Sequence, residues 1–308
     1  MKTKHAFGLL TAVAALALAA CGGGGGAHIA STPPPPPTPT PTPTPTPGPY
    51  EPVIFPAVTA STQFATVGYE SAGHPIQTGT LIGSGFSVSY DAQSNVYLMD
   101  VPGSDPGVFE AKTTGDRYWN GTLLELAFGF EQPIVLNVFR PGSQNWDFAD
   151  LKYTSFAEYQ TTSGRFGEMA FGLPTDASAV PVSGSATYDA FAAGQSDDGL
   201  GIRGTVLMQF DFGAGTLSGS FDPYIYDLLA GNTPLGHYDF TNTVYGTGSA
   251  TFSGQLSRSG TAEKGTFDGQ FTGPNAEEVM ARWTAPLPDP DTNTTSVMFG
   301  VWVGKKRP

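Results

Sequence analysis

The 308-residue chain is acidic, with 27 Asp and Glu against 14 Lys and Arg and a formal net charge of −13 at pH 7; lacking a basic cluster, it has no face to neutralise nucleic-acid phosphates or bind anionic headgroups. Only 13% of residues are charged, while Gly (40) and Pro (27) are abundant, which suits a turn-rich all-β protein with room for one or two cored domains. The one cysteine, Cys21, excludes an intrachain disulfide and a thiolate zinc site, and His5, His28, His74 and His237 are too scattered to form a ligand pair, so neither metal nor cofactor is expected.

Residues 1–20 read as a secretory signal, with Lys2, Lys4 and His5 ahead of an apolar run from Phe7 to Ala20 that is too short to span a membrane. Leu18-Ala19-Ala20-Cys21 resembles a bacterial lipobox, in which the cysteine becomes the lipidated N-terminus; an ordinary signal ending in small residues is the alternative. Gly22 and Gly23 follow where an inner-membrane retention signal would place Asp, so the lipobox reading implies sorting to the outer membrane. The lipid would then anchor a chain that is otherwise free of the bilayer. Loss of Lys2 and Lys4 takes the charge to about −15. Residues 21–50 form the tether: glycines 22–26, then an almost pure Pro and Thr stretch. Such a stretch adopts polyproline II, and at about 3.1 Å per residue Pro33 to Pro49 spans ~50 Å.

Residues 51–181 predict a small β domain of low regularity. Candidate strands cover 86–90, 95–99, 107–111, 134–139, 151–156 and 165–171, separated by turns such as Pro102-Gly103 and Pro141-Gly142.

From residue 182 to 308 the period-two pattern tightens into eight candidate strands: 185–192, 203–212, 216–221, 235–244, 249–257, 265–271, 277–285 and 296–304. One pattern recurs as Thr216-Leu217-Ser218-Gly219-Ser220-Phe221, Thr251-Phe252-Ser253-Gly254-Gln255-Leu256 and Thr266-Phe267-Asp268-Gly269-Gln270-Phe271. Apolar residues and glycine share one face and polar residues take the other, so space on the buried face is tight. The fold class is therefore all-β, with a C-terminal eight-stranded antiparallel up-and-down barrel, apolar inside and polar outside, behind a small irregular β domain. In Gly273-Pro274-Asn275-Ala276-Glu277-Glu278, Asn275 is expected to cap a short helical turn with Glu278 as the capping-box acid.

Catalytic motifs are missing. Gly199-Leu200-Gly201-Ile202-Arg203-Gly204 matches a dinucleotide fingerprint in letters, but it leads into a strand and reads as a hairpin loop. Asp289, Asp291 and Asn293 begin a calcium-loop pattern that lacks its glycine and its final acid. Neighbouring acids such as Asp197-Asp198 would face opposite sides of a strand. An enzyme is not expected.

Val182-Ser183-Gly184-Ser185-Ala186-Thr187-Tyr188, the paired Thr-Phe-x-Gly-Gln strands, the segment Phe271 to Glu278 and the opening Phe171-Gly172-Leu173-Pro174-Thr175 resemble the β-barrel domain of the transferrin-binding protein B family, a group of surface lipoproteins that includes factor H-binding protein. The resemblance implies an irregular β "handle" ahead of the barrel, and loops that bind a protein ligand, with iron or haem acquisition and an outer-membrane transporter as the wider setting. The family's namesake has two lobes, and this chain has room for one. The motif residues Gly273, Pro274, Asn275, Ala276 and Glu277 are expected to be structural. The candidate partner-binding loop is Tyr224, Ile225, Tyr226, Leu228 and Leu229, which either packs on the handle or offers aromatic anchors to a partner. Two other readings stand beside this one: a lipocalin-like binder with a small molecule inside the barrel, and a shielding lipoprotein without a specific ligand.

Overall fold

The computed structural model describes residues 55, 58–71, 81–94, 96–102, 107–110, 117–119, 123–127, 134–139, 151–161, 164–196, 199–227, 229, 231–288 and 295–308. The signal, Cys21, the tether and the calcium-like segment 289–294 lie outside them.

Two antiparallel sheets make up the fold. The first runs over β1 (Thr62–Ser71), β2 (Leu81–Ile82), β3 (Ser87–Asp91), β4 (Val96–Asp100), β5 (Gly107–Glu110), β6 (Arg117–Trp119), β7 (Leu123–Ala127), β8 (Ile134–Phe139), β9 (Thr154–Thr161) and β10 (Phe166–Gly172). Its order is β5-β4-β3-β1-β10-β9-β8-β7-β6, with β2 paired to β1. This handle sheet is more regular than the sequence suggests. It curls around a core of Phe55, Phe64, Tyr97, Met99, Val138, Met169 and Phe171. Its central strand β1 escapes the period-two reading because neither face is clearly apolar: Phe64, Thr66, Gly68 and Glu70 share one, Ala65, Val67 and Tyr69 the other. The strand expected at 151–156 instead runs Thr154–Thr161, since the amides just before it are committed elsewhere, as described below.

The second sheet is the barrel. It comprises β11 (Ser185–Ser196), β12 (Gly201–Asp211), β13 (Thr216–Ile225), the two-residue β14 (Thr233–Pro234), β15 (Tyr238–Val244), β16 (Thr251–Arg258), β17 (Lys264–Thr272), β18 (Glu278–Pro288) and β19 (Thr295–Lys306). Each long strand pairs with its neighbour in sequence, and β11 pairs with both β12 and β19, so the sheet closes. All eight strands expected from the sequence are present, with ends shifted by a few residues. Tyr188, Phe210, Phe212, Phe221, Tyr238, Phe252, Phe267, Phe271, Trp283 and Trp302 fill the interior. Two of the tyrosines find backbone acceptors: Tyr188 Oη donates to the Ala276 carbonyl and Tyr238 Oη to the Pro286 carbonyl, both at 2.6 Å. Aromatic rings packed this way take up much of the space inside a narrow barrel, which weighs against the lipocalin-like reading.

The recurring glycine pattern has a direct cause. In the β16–β17 ladder Phe252 faces Gly269 and Gly254 faces Phe267. Each ring lies over the glycine opposite: a Cβ on Gly254 would stand 2.6 Å from the Phe267 ring, and one on Gly269 2.8 Å from the Phe252 ring. Gly219 likewise lies under Phe240. The glycines make room for phenylalanines in a narrow barrel.

Outward polarity fails in two strands, contrary to expectation. On β18 and β19 the inward residues Val279, Ala281, Trp283, Met298 and Trp302 join the barrel core. The outward residues Met280, Val301 and Val303 pack with Leu151, Phe156 and Ala170 of the handle side, and Phe299 packs with Phe166. Strands buried on both faces read as nearly continuous apolar runs, and these two do. Arg282 extends the contact: Nε meets Asp268 Oδ1 at 2.9 Å, Nη1 donates to the Gly83 carbonyl, and the guanidinium lies 4.9 Å from the centre of the Tyr69 ring.

The segment expected to hold a helical cap is a turn without a helix. Gly273 and Ala276 both adopt positive φ, +84° and +56°, which stops a helical turn from propagating. Asn275 bonds to Glu277, not Glu278: its N–H and Nδ2 donate to the Glu277 carboxylate at 2.8 and 2.9 Å. Glu278 opens β18 and accepts the N–H groups of Lys152 and Tyr153 at 2.6 and 3.0 Å. Burial pushes its carboxyl up, and these amide donors pull the other way. Around it, Gly273 N–H donates to the Leu173 carbonyl and Thr175 Oγ1 to the Gly273 carbonyl, while Thr154 and Thr272 share a hydroxyl contact of 2.5 Å. The motif therefore stitches handle to barrel.

Two expectations follow. Gly269→Ala should lose about 1–3 kcal/mol through overpacking, at about 2–4 °C of Tm per kcal/mol, whereas Gly201→Ala, with nothing within 4 Å of its Cβ position, should leave Tm unchanged in calorimetry. Glu278→Ala should cost about 1–3 kcal/mol by orphaning two amides and speed hydrogen exchange at Lys152 and Tyr153; Glu278→Gln, which keeps an acceptor, should cost less.

Candidate functional site

Strand direction alternates around the barrel, so the turns fall into two rims. One rim carries the β10–β11, β12–β13, β15–β16 and β17–β18 connections, including the stitched motif of Gly273, Pro274, Asn275, Ala276 and Glu277. The other carries the β11–β12 hairpin and the segment after β13, and there the candidate loop lies.

Tyr224 and Ile225 belong to β13 and not to a loop. They pair with Arg203 and Ile202 of β12, and Ile225 packs partly buried against the barrel core. Beyond them the chain turns outward. Tyr226 donates its N–H to the Gly201 carbonyl at 2.9 Å and is 42% exposed. Asp227 Oδ1 accepts the Leu229 N–H at 2.7 Å, an Asx-type turn that fixes the backbone. Leu229 is held 99% exposed. Leu228 lies outside the described residues. The neighbouring hairpin adds Leu200, 40% exposed at its tip, where Ser196 Oγ accepts the Leu200 N–H at 3.1 Å. Leu200 went unnoticed in the sequence because it sits between glycines that look like plain turn punctuation. Of the Gly199–Gly204 stretch read as a hairpin loop, only Gly199 and Leu200 lie in the turn, and Gly201 to Gly204 already belong to β12. Among the described residues the apolar contact of the handle is with the outer wall of β18 and β19, and Tyr226 and Leu229 are not part of that cluster.

An acidic group borders the same strands. His237 Nδ1 lies 2.6 Å from Asp222 Oδ1 and Nε2 lies 3.4 Å from Asp239 Oδ1. The hydrogen bond to Asp222 raises the imidazole above its ordinary value. Among the described residues no cluster of His, Cys, Asp and Glu could hold a metal ion.

A half-open cleft of about 330 Å³ lies against the outside of the barrel, bordered by Val67 of the handle and by Val244, Ser253, Asp268 and Gln270. It runs beside β16 and β17, and the core residues Tyr245 and Phe252 also line it.

A family model for the C-lobe and N-lobe β barrels of Tf-binding protein B matches residues 153–306, half of the chain. No curated protein matches the sequence. Among solved structures, HpuA from Kingella denitrificans in complex with human haemoglobin is 13% identical, covering 81% of this chain and 88% of its own at a TM-score of 0.45. Isotype 1 TbpB from serogroup B Neisseria meningitidis is 14% identical, covering 79% of this chain but 43% of its own, at 0.43. The N-lobe domain of lactoferrin-binding protein B of Moraxella bovis is 12% identical, covering 81% of this chain and all of its own, at 0.32. The match over the barrel and its joint to the handle decides the assignment: the chain belongs to the family of transferrin-binding protein B β barrels.

Proposed function

We propose that this protein is a surface lipoprotein, anchored to the outer membrane through Cys21, whose barrel rim binds a protein that carries iron or haem. The observation that carries the reading is the rim itself, in a family named for binding a protein. Leu229 and Tyr226 are held out to solvent by backbone hydrogen bonds, beside Leu200. A backbone held in place at an exposed rim loses little freedom on binding, which favours the large apolar side chains it carries as anchor residues. The packed barrel interior supports a surface ligand over an enclosed one. The Pro/Thr tether would hold the rim clear of the membrane, within reach of an outer-membrane transporter that takes the cargo onward.

Protease shaving of intact cells, followed by capture with the released protein, tests both halves. The expected result is release of the folded part and capture of an iron- or haem-carrying protein, with Tyr226→Ala plus Leu229→Ala weakening that capture at least tenfold, about 1.4 kcal/mol or more. Protection of the protein in intact cells overturns the surface placement, and undiminished capture by the double variant overturns the rim as the binding site.

A further inference from the structure

Between handle and barrel lies a charge arrangement that stability alone does not call for. Glu168 of β10 is fully buried and faces the barrel. Directly across the ladder from it stands Glu158 of β9. Arg203 of β12 pairs with Glu158, and Gln195 of β11 places Nε2 3.5 Å from Glu168 Oε1. Glu168 Oε2 has no hydrogen-bond partner. On its other side Glu168 is in register with Tyr69 of β1, which itself lies under Arg282. Tyr159 is the remaining titratable neighbour from β9, and burial raises its hydroxyl far above the ordinary range. The outward residues of β19 facing this region, Phe299 and Val301, are apolar.

This corner of the joint thus brings together two carboxylates, Glu158 and Glu168, and the Arg203 guanidinium beside them is bonded to Glu158. A second buried negative charge would have neither water nor a counter-ion of its own. We propose that the handle–barrel joint is a proton-operated latch: its β9–β10 side closes on β11 and β12 around neutral Glu168, and loss of that proton loosens this side of the joint. Burial first, and then the charge of Glu158, raise the Glu168 carboxyl well above its usual value of 4.5, in agreement with the geometry. The sign follows from linkage. A carboxyl raised in the closed joint contributes fully below 4.5, and its contribution falls as pH climbs toward the raised value, so closure takes up a proton in that window.

Hydrogen exchange of the full-length protein as a function of pH, corrected for intrinsic exchange, reads the latch directly. In the wild type, protection of the joint-side amides of β10 and β11 should fall by up to about tenfold per pH unit as Glu168 ionises. Glu168→Gln should remove that dependence, leaving the joint protected at all pH values. Glu158→Gln should move the transition to lower pH, because Arg203 is then free to pair with an ionised Glu168; a merely structural role for these residues would not displace the transition. A wild type and Glu168→Gln with the same pH profile, or a transition unmoved by Glu158→Gln, overturns the proposal.

Discussion

The β18–β19 hairpin is the element on which the rest depends, because it is buried on both faces. Inside, Trp283 and Trp302 close the barrel core with Phe221, at ring distances of 4.8 and 5.4 Å. Outside, Met280, Phe299, Val301 and Val303 meet the handle. Burying each such side chain contributes about 1.5–3 kcal/mol, so lifting the handle away would expose an apolar stripe on the barrel wall. The polar stitching by Glu278 and the Leu173–Thr175 segment then fixes register where the apolar contact fixes proximity. Residues 47–308 accordingly group as a single unit.

The two rims differ in what they carry. One is occupied by the joint: the turn at 273–277 is hydrogen-bonded to the segment leaving the handle and has little freedom to meet a partner. The other carries Leu200, Tyr226 and Leu229 on short, hydrogen-bonded turns. A rigid scaffold that presents exposed apolar side chains on loops is the usual physical setting for recognition. Glu168 and Arg203 belong to neither rim. They lie where the handle sheet crosses the first barrel strands.

Much of the barrel was legible in the sequence, and the reason is specific. Strands with one wet face alternate cleanly, and the Phe–Gly cross-strand pairs of β16 and β17 print a repeated Thr-Phe-x-Gly-Gln pattern into the chain. The handle was less legible because its strands serve two cores. β1 has mixed faces, and β7, with Leu123-Leu124-Glu125-Leu126-Ala127, has helix-forming residues that only pairing with β6 and β8 makes a strand. The supposed cap at Asn275 failed because local spacing cannot reveal that Glu278 is claimed by amides 125 and 126 residues away in sequence. The apolar runs of β18 and β19 did carry the signal of two-sided burial, and they mark where the handle docks. Within the candidate loop, Tyr226 and Leu229 are exposed as a binding role needs, whereas Tyr224 and Ile225 serve the strand.

Scanning calorimetry of the full-length protein tests most directly the claim that handle and barrel share one structural unit through β18 and β19. The account predicts one cooperative transition whose calorimetric and van't Hoff enthalpies agree, and it predicts that Val301→Lys, which places a charge under the handle, lowers that transition as a whole. Two separable transitions in the wild type, or a Val301→Lys protein that melts like the wild type, would contradict it.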